Sequence, residues 1–423
     1  MRGEQDLIRT LRTAADQVEQ VDLARGVAAR RHGRRIRQRV RMALAALAAV
    51  AVAGGTTAAL SVASSGAERR AEERWTRIEE QRPQVDEPWT RVDKRWPQAV
   101  AKVPARTAGG ARILPVTGLS PAEVLLLVAA PAKGKPSRLD VYDVTRRTTR
   151  TLAQVPAVKG SEGPDGLTVG PGHVAWYVTT GGTTTFWAVP RTGGTATRVA
   201  TTSGDVAVLG VTDDSLVWSS WKGGVHRVPL TGGTPSRLPG SDGLRLTSWP
   251  WAARLGRDVS ANQDRAVNLE TGRSFDVRAP KGTRFLRCGP RWCAGELNGR
   301  LLVQRVDGTG RRKLSELRPY SPRQPYADRY VLAAPAPPRR TGEGPLALLH
   351  DLETGTTTGL GEQRPGTMGT PLMPISLSNS PSATTLHWDE DAQPPATCAK
   401  KTCAPMTLGG KEWTVLNLLA LTR

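Results

Sequence analysis

Four cysteines and twelve tryptophans are the side chains in this 423-residue chain with the most chemistry to offer. The cysteines form two short pairs, Cys288-Gly-Pro-Arg-Trp-Cys293 and Cys398-Ala-Lys-Lys-Thr-Cys403. Such spacing favours two local disulfides, each closing a loop worth roughly 2 kcal/mol in chain entropy, with Gly289-Pro290 supplying the turn of the first. A zinc site built from both pairs is the competing use of the same thiolates, opposed by Lys400 and Lys401 inside the second loop. The aromatic candidates are Trp218 and Trp221, then Trp249-Pro250-Trp251. Exposed Trp beside Arg stacks on sugars or peptides, so Trp218, Trp221, Trp249 and Trp251 are the candidate ligand-binding residues; packing between strands is their other use.

Signals of catalysis are missing: the chain holds no G-x-S-x-G, H-E-x-x-H, P-loop, or dinucleotide G-x-G-x-x-G at a strand–helix junction. Of the five histidines, His32 lies in an arginine run, and His173, His226, His350 and His387 are scattered in or beside strand-like segments. Asp351 reads as the cap of a turn. His387 with Asp389, Glu390 and Asp391 reads as either a weak cation site or a solvated loop. No enzyme, no cofactor and no nucleic-acid partner are expected, although a scaffold of this kind can also carry an extracytoplasmic enzyme.

The elements that position these residues follow from composition and repetition. Apolar residues are 38% of the chain, while Gly and Pro together reach 76, which argues for a turn-rich, all-β body. The segment from His173-Val-Ala-Trp176 to Val189-Pro-Arg-Thr-Gly-Gly194 aligns with Ser215-Leu-Val-Trp218 to Val228-Pro-Leu-Thr-Gly-Gly233, 39 residues on. Related turns recur at Asp143, Asn268-Leu-Glu-Thr-Gly272, Asp307-Gly-Thr-Gly310 and Asp351-Leu-Glu-Thr-Gly355. Four short strands per unit of about 40 residues is a β-propeller blade, and the Gly pairs supply the positive φ of its tight turns. Seven blades are expected, with six or eight as alternatives. The last begins near Pro374 and lacks a strand that Arg112-Ile-Leu-Pro-Val116 is expected to supply.

Ahead of the propeller, assigned to residues 105–423, stand three further regions. Residues 42–64 open with 22 residues free of ionisable side chains, long enough as a helix to span roughly 33 Å of bilayer. Seven arginines among residues 30–41 place the preceding flank in the cytoplasm and the rest of the chain outside; a cleaved signal peptide is the other reading. Residues 1–41 form a basic arm, +6 of the chain's +21, in which Leu7, Leu11 and Val18 lie on one helical stripe suited to a membrane surface or a protein partner. Residues 65–104 make a charged stalk, read as a short helix near 67–81 followed by a spacer with Pro83, Pro88 and Pro97. Positive charge outside would attract anionic cell-envelope polymers as well as proteins.

The units carrying Val-x-Arg-Val-Pro-Leu-x-Gly-Gly-Thr-Pro resemble those of actinobacterial TolB-like or WD40-like propellers over about residues 105–423. Through Asp6-Leu-Ile-Arg-Thr-Leu-Arg12 and Val21-Asp-Leu-Ala-Arg-Gly-Val27, the arm is similar to the N-termini of membrane proteins encoded beside group-four sigma factors. That resemblance implies a transmembrane regulator with a cytoplasmic sigma factor as partner; the zinc motif of many anti-sigma domains is absent, since the arm has no Cys.

Overall fold

The computed structural model describes residues 79–81, 89–130, 136–161, 163–255, 260–320, 324–335, 344–362, 383–389, 398–399, 402–403 and 410–421. Strand-forming Val, Thr, Leu and Trp runs separated by Gly-containing turns fold into seven antiparallel blades. Blade 1 runs from Ile113–Ser120 to Thr148–Gln154, blade 2 from Gly166–Val169 to Thr197–Ser203, and blade 3 from Val208–Val211 to Ser236–Arg237. Blade 4 runs from Leu244–Ser248 to Ser274–Asp276, blade 5 from Thr283–Cys288 to Arg312–Leu314, and blade 6 from Leu317–Pro319 to Thr357–Leu360. In each of these blades the first strand is innermost and the order is sequential.

A single blade cannot bury two apolar faces, and the core shows how the ring solves this. Seven apolar clusters occur, one in each seam between neighbouring blades. Middle strands pressed from both sides are buried along their whole length, as in Ser215–Ser219 and Ala347–Asp351, instead of alternating. Outer strands meet solvent, as at Ser236–Arg237.

Blade 7 closes the ring and corrects one expectation. Its inner strands, Thr385–Trp388 and Glu412–Asn417, come from the end of the chain, and its outer strand is Val100–Pro104, paired from Val100↔Leu416 to Pro104↔Glu412. The closing strand therefore comes from residues read above as stalk. Arg112–Val116 does not supply it, because Ile113–Ser120 is the inner strand of blade 1. Val103 is fully buried there, and Trp413 Nε1 donates to the Ile113 carbonyl at 2.7 Å, tying blade 7 to blade 1. Gly118 is required at this join: a Cβ would lie 2.6 Å from Asn417 Oδ1.

Glu79–Gln81 is a strand, paired in parallel with Arg312–Leu314 on the edge of blade 5, and not the end of a helix. Val92–Arg95 forms one short helical turn, and Trp89 and Trp96 pack against the seams of blades 5–6 and 6–7. Among the described residues no helix is long and apolar enough to cross a membrane; residues 1–78, with the arm and the apolar span, lie outside them.

Candidate functional site

In an antiparallel blade, the turn between strands one and two and the turn between strands two and three lie at opposite ends. Trp221 sits in the latter turn of blade 3, and Trp249 in the former turn of blade 4, so the ring separates them.

The turn carrying Trp221 is held from several directions. Ser220 Oγ donates to the Gly223 carbonyl, and Gly223 N–H returns a bond to the Ser220 carbonyl, both at 3.0 Å. Gly224 N–H reaches Leu244 O at 2.8 Å in the next blade, and Val225 N–H reaches Ser241 Oγ at 3.0 Å. Gly223 has φ 88°, and any Cβ there would come within 2.8 Å of the Gly243 backbone. Trp221 is thereby presented 56% exposed, the one large exposed apolar side chain among the described residues. Beside it, Arg245 places Cζ 5.7 Å from the ring centroid, a cation–π contact. Arg287, on the inner strand of blade 5, donates through Nη1 to the Ala261 carbonyl at 2.6 Å.

At the other end lies a cavity of about 420 Å³ between blades 2, 3 and 4, lined by Gly170, Leu209, Asp213, Ser248, Trp249 and Glu270 among others. Trp249 Nε1 donates to Glu270 Oε1 at 3.1 Å. Asp213 and Glu270 are its charged lining groups, so the cavity wall is negative. The loop of blade 6 reaches across at the same level of the ring, where Gln324 Nε2 donates to the Thr247 carbonyl at 3.0 Å.

Trp218 is 2% exposed and lies between Phe186 at 4.5 Å and His226 at 5.5 Å, in the seam of blades 2 and 3. Trp251 is half-buried and stacks on Phe275 at 5.7 Å. Of the four tryptophans, Trp221 and Trp249 thus face open space at opposite ends, while Trp218 packs. Arg245 and Glu270 are neighbours that sequence did not single out. Leu-Arg-Leu at 244–246 reads as an ordinary alternating strand, with no mark on its arginine.

Cys288 and Cys293 form a disulfide between paired strand residues whose Cα atoms are 3.9 Å apart, both buried, which removes them from a zinc site. Cys398–Ala399 pairs antiparallel with Thr402–Cys403, with Cys398 and Cys403 as backbone register partners, in the chain between the two inner strands of blade 7. Among the described residues no group of three or more His, Cys, Asp or Glu is placed to hold a metal ion. His350 Nδ1 meets Thr357 Oγ1 at 2.9 Å, a polar pair sealed from solvent. Burial pushes the imidazoles of His350 and His387 down to about 4, so both are neutral. Asp351 caps its turn, accepting from Glu353 N–H at 2.9 Å while Arg329 binds both its oxygens. Asp389 accepts from Gly410 N–H at 3.0 Å; Glu390 and Asp391 lie outside the described residues, as do Leu7, Leu11 and Val18.

No family model and no curated protein matches the chain. Among solved structures it is similar to YCF48 bound to D1 peptide, with 11% identity and a TM-score of 0.41 over 75% of this chain and 95% of that one. It is also similar to the β-propeller domain of the Trilobed protease from Pyrococcus furiosus, with 8% identity and a TM-score of 0.39 over 59% and 84%. An uncharacterized protein, lmo1340, from Listeria monocytogenes EGD-e gives 11% identity and a TM-score of 0.33 over 59% and 94%. The chain is an all-β, seven-bladed propeller.

Proposed function

We propose that this chain is a non-catalytic binding protein whose propeller, held outside the cytoplasm by a single span at residues 42–64, engages a protein partner through the end that carries Trp221. The observation that carries the binding reading is Trp221 itself. A large apolar ring left 56% exposed on a turn clamped by its neighbours, with a guanidinium alongside, has the composition of a binding hot spot. The membrane part rests on the apolar segment and the arginine run before it.

A photo-cross-linking residue at position 221 in intact cells tests the binding reading. One discrete adduct, absent when the cross-linker stands at exposed Arg146, is the expected result; no adduct at 221 overturns it. Protease shaving of the same cells is expected to remove the propeller and spare residues 1–41. A released chain that starts near residue 65 would replace the anchor with a cleaved signal peptide.

The stripe of Leu7, Leu11 and Val18 supports a second role, an arm that holds a cytoplasmic regulator such as a sigma factor while the propeller senses outside. Full-length protein is then expected to retain a saturable cytoplasmic partner that Leu7→Asp with Leu11→Asp releases.

A further inference from the structure

Three turns meet around the cavity at the end away from Trp221: residues 170–172, 212–214 and 249–250, each joining the first two strands of its blade. Backbone packing builds one wall, since a Cβ at Gly170 would lie 2.5 Å from the Val211 carbonyl oxygen. Leu209, Val211 and Leu246, buried side chains of the inner strands, give the lining its apolar part. Two carboxylates give it its charge. Glu270 is fixed by its neighbours: Trp249 Nε1 donates to its Oε1 at 3.1 Å, and its own N–H donates to Asn268 Oδ1 at 3.0 Å. Asp213 lies on a turn tied by Thr212 Oγ1, which accepts from Ser215 N–H at 3.0 Å. The next carboxylate, Asp214, is taken by Arg227, which donates to both its oxygens. Among the described residues neither Glu270 nor Asp213 makes an ion pair. Arg191 stands at the blade 2 edge, where its guanidinium donates to the Pro171 and Leu119 carbonyls.

We propose that this cavity is a second binding site, for a small organic ammonium ion carried on an apolar body; it is separate from the Trp221 surface and does not depend on that reading. The ammonium pairs with Glu270, held in place by the indole N–H, and Asp213 on the blade 3 turn adds attraction. Trp249 supplies an aromatic wall of the kind that favours cations, and the buried leucines and valine take the apolar body. An inorganic cation would leave that apolar lining unused, and among the described residues no three ligating side chains converge on a metal. At about 420 Å³ the cavity is of a size to enclose a whole small ligand, within the roughly 300–1,000 Å³ of such sites.

The test titrates the full chain in detergent micelles with phenethylamine, hexylamine, phenethyl alcohol, phenylacetate and an oligolysine peptide. Both amines are expected to bind saturably, phenethyl alcohol more weakly, and phenylacetate not at all. Glu270→Gln keeps an acceptor for Trp249 Nε1 and removes the charge. It should weaken the amines roughly tenfold or more, leaving phenethyl alcohol and the unliganded melting temperature unchanged. A merely structural glutamate would lower the melting temperature and weaken amine and alcohol alike, and that result overturns the proposal. So does an alcohol that binds as tightly as its amine, or failure of both amines to bind. Oligolysine binding without amine binding also overturns it, giving the cavity to a basic peptide. Should Glu270→Gln fail to fold, Asp213→Asn reads the same comparison, because no ion pair is lost with it; amine binding that it leaves unchanged counts against the proposal. The position 221 cross-link reports on the opposite end, so either reading can fail alone.

Discussion

Trp221 stands open to solvent with a guanidinium beside it, whereas Trp249, at the opposite end of the adjoining blade, is half-buried and donates its indole N–H to Glu270. Both are tryptophans on turns between strands. The difference lies in what the neighbouring blade brings. At one end Gly223 lets the Trp221 turn sit against the Gly243 backbone and leaves the ring outside; at the other, Trp249 packs in the seam of blades 3 and 4. The ring thus holds a cationic end and an anionic cavity on the two sides of blades 3 and 4. Close backbone approach at Gly223 holds the Trp221 turn against the next blade, while seam packing and Glu270 hold Trp249.

That contrast exists only in a closed ring, so the largest effect is expected from opening it. A chain beginning at Ala105 lacks Val100–Pro104 and the buried Val92, Ala99 and Val103, and leaves blade 7 with two strands. The loss is expected to exceed about 5 kcal/mol, comparable to a whole domain's stability, so cooperative thermal unfolding should vanish. A chain beginning at Trp89 should retain it. Cooperative unfolding of the shorter chain would show that blade 7 is dispensable.

Acid acts on the sector away from both tryptophans. His350 and His387 are buried in blades 6 and 7, each with Nε2 lacking a hydrogen-bond partner, and burial lowers both to about 4. Unfolded histidine binds its proton near pH 6.5, so stability is complete above that value and lost as pH falls toward 4. Each should cost about 2–3 kcal/mol between pH 7 and 4.5 by denaturant titration. His387→Phe is expected to flatten its share of that slope; an unchanged slope would place a proton on the folded imidazole.

The architecture was legible where the backbone demands a special residue. Gly193 and Gly232 have φ of 103° and 96°, so the Thr-Gly-Gly spacing had to mark the same turn in blades 2 and 3. The closing strand was not legible. Val-Ala-Lys-Val-Pro at 100–104 is short, charged and embedded among stalk charges, which is what an outer strand facing water needs, while Ile113-Leu-Pro-Val116 is apolar because it is an inner strand. Trp221 and Trp249 were found as types, but nothing local told them from Trp218, whose burial follows from the Phe186 ring of the neighbouring blade. Arg245 and Trp221 meet only across two blades, a proximity that no spacing along the chain encodes.

The disulfide of blade 5 is a smaller effect. Replacing Cys288 and Cys293 together by serine should cost about 2 kcal/mol in loop entropy, plus the burial of two hydroxyls. Non-reducing peptide mapping is expected to show a second local bond between Cys398 and Cys403, which are backbone register partners. Cross-linked pairs between the two hairpins would contradict that register.

The finest test of the two ends is the pair Trp221→Ala and Trp249→Ala. Trp221 contributes little buried area, so its loss should change stability by less than about 0.5 kcal/mol and act on binding alone. Trp249 gives up packing in the seam of blades 3 and 4 and leaves Glu270 without its indole donor, for a loss of about 1–2 kcal/mol. Denaturant midpoints of the two variants, measured side by side, should therefore separate in that order. Equal losses would mean that the Trp221 turn depends on its ring after all. In that case its exposure would be a by-product of holding the blade 3 turn against Gly243, and the cationic end would lose its claim to be the binding surface.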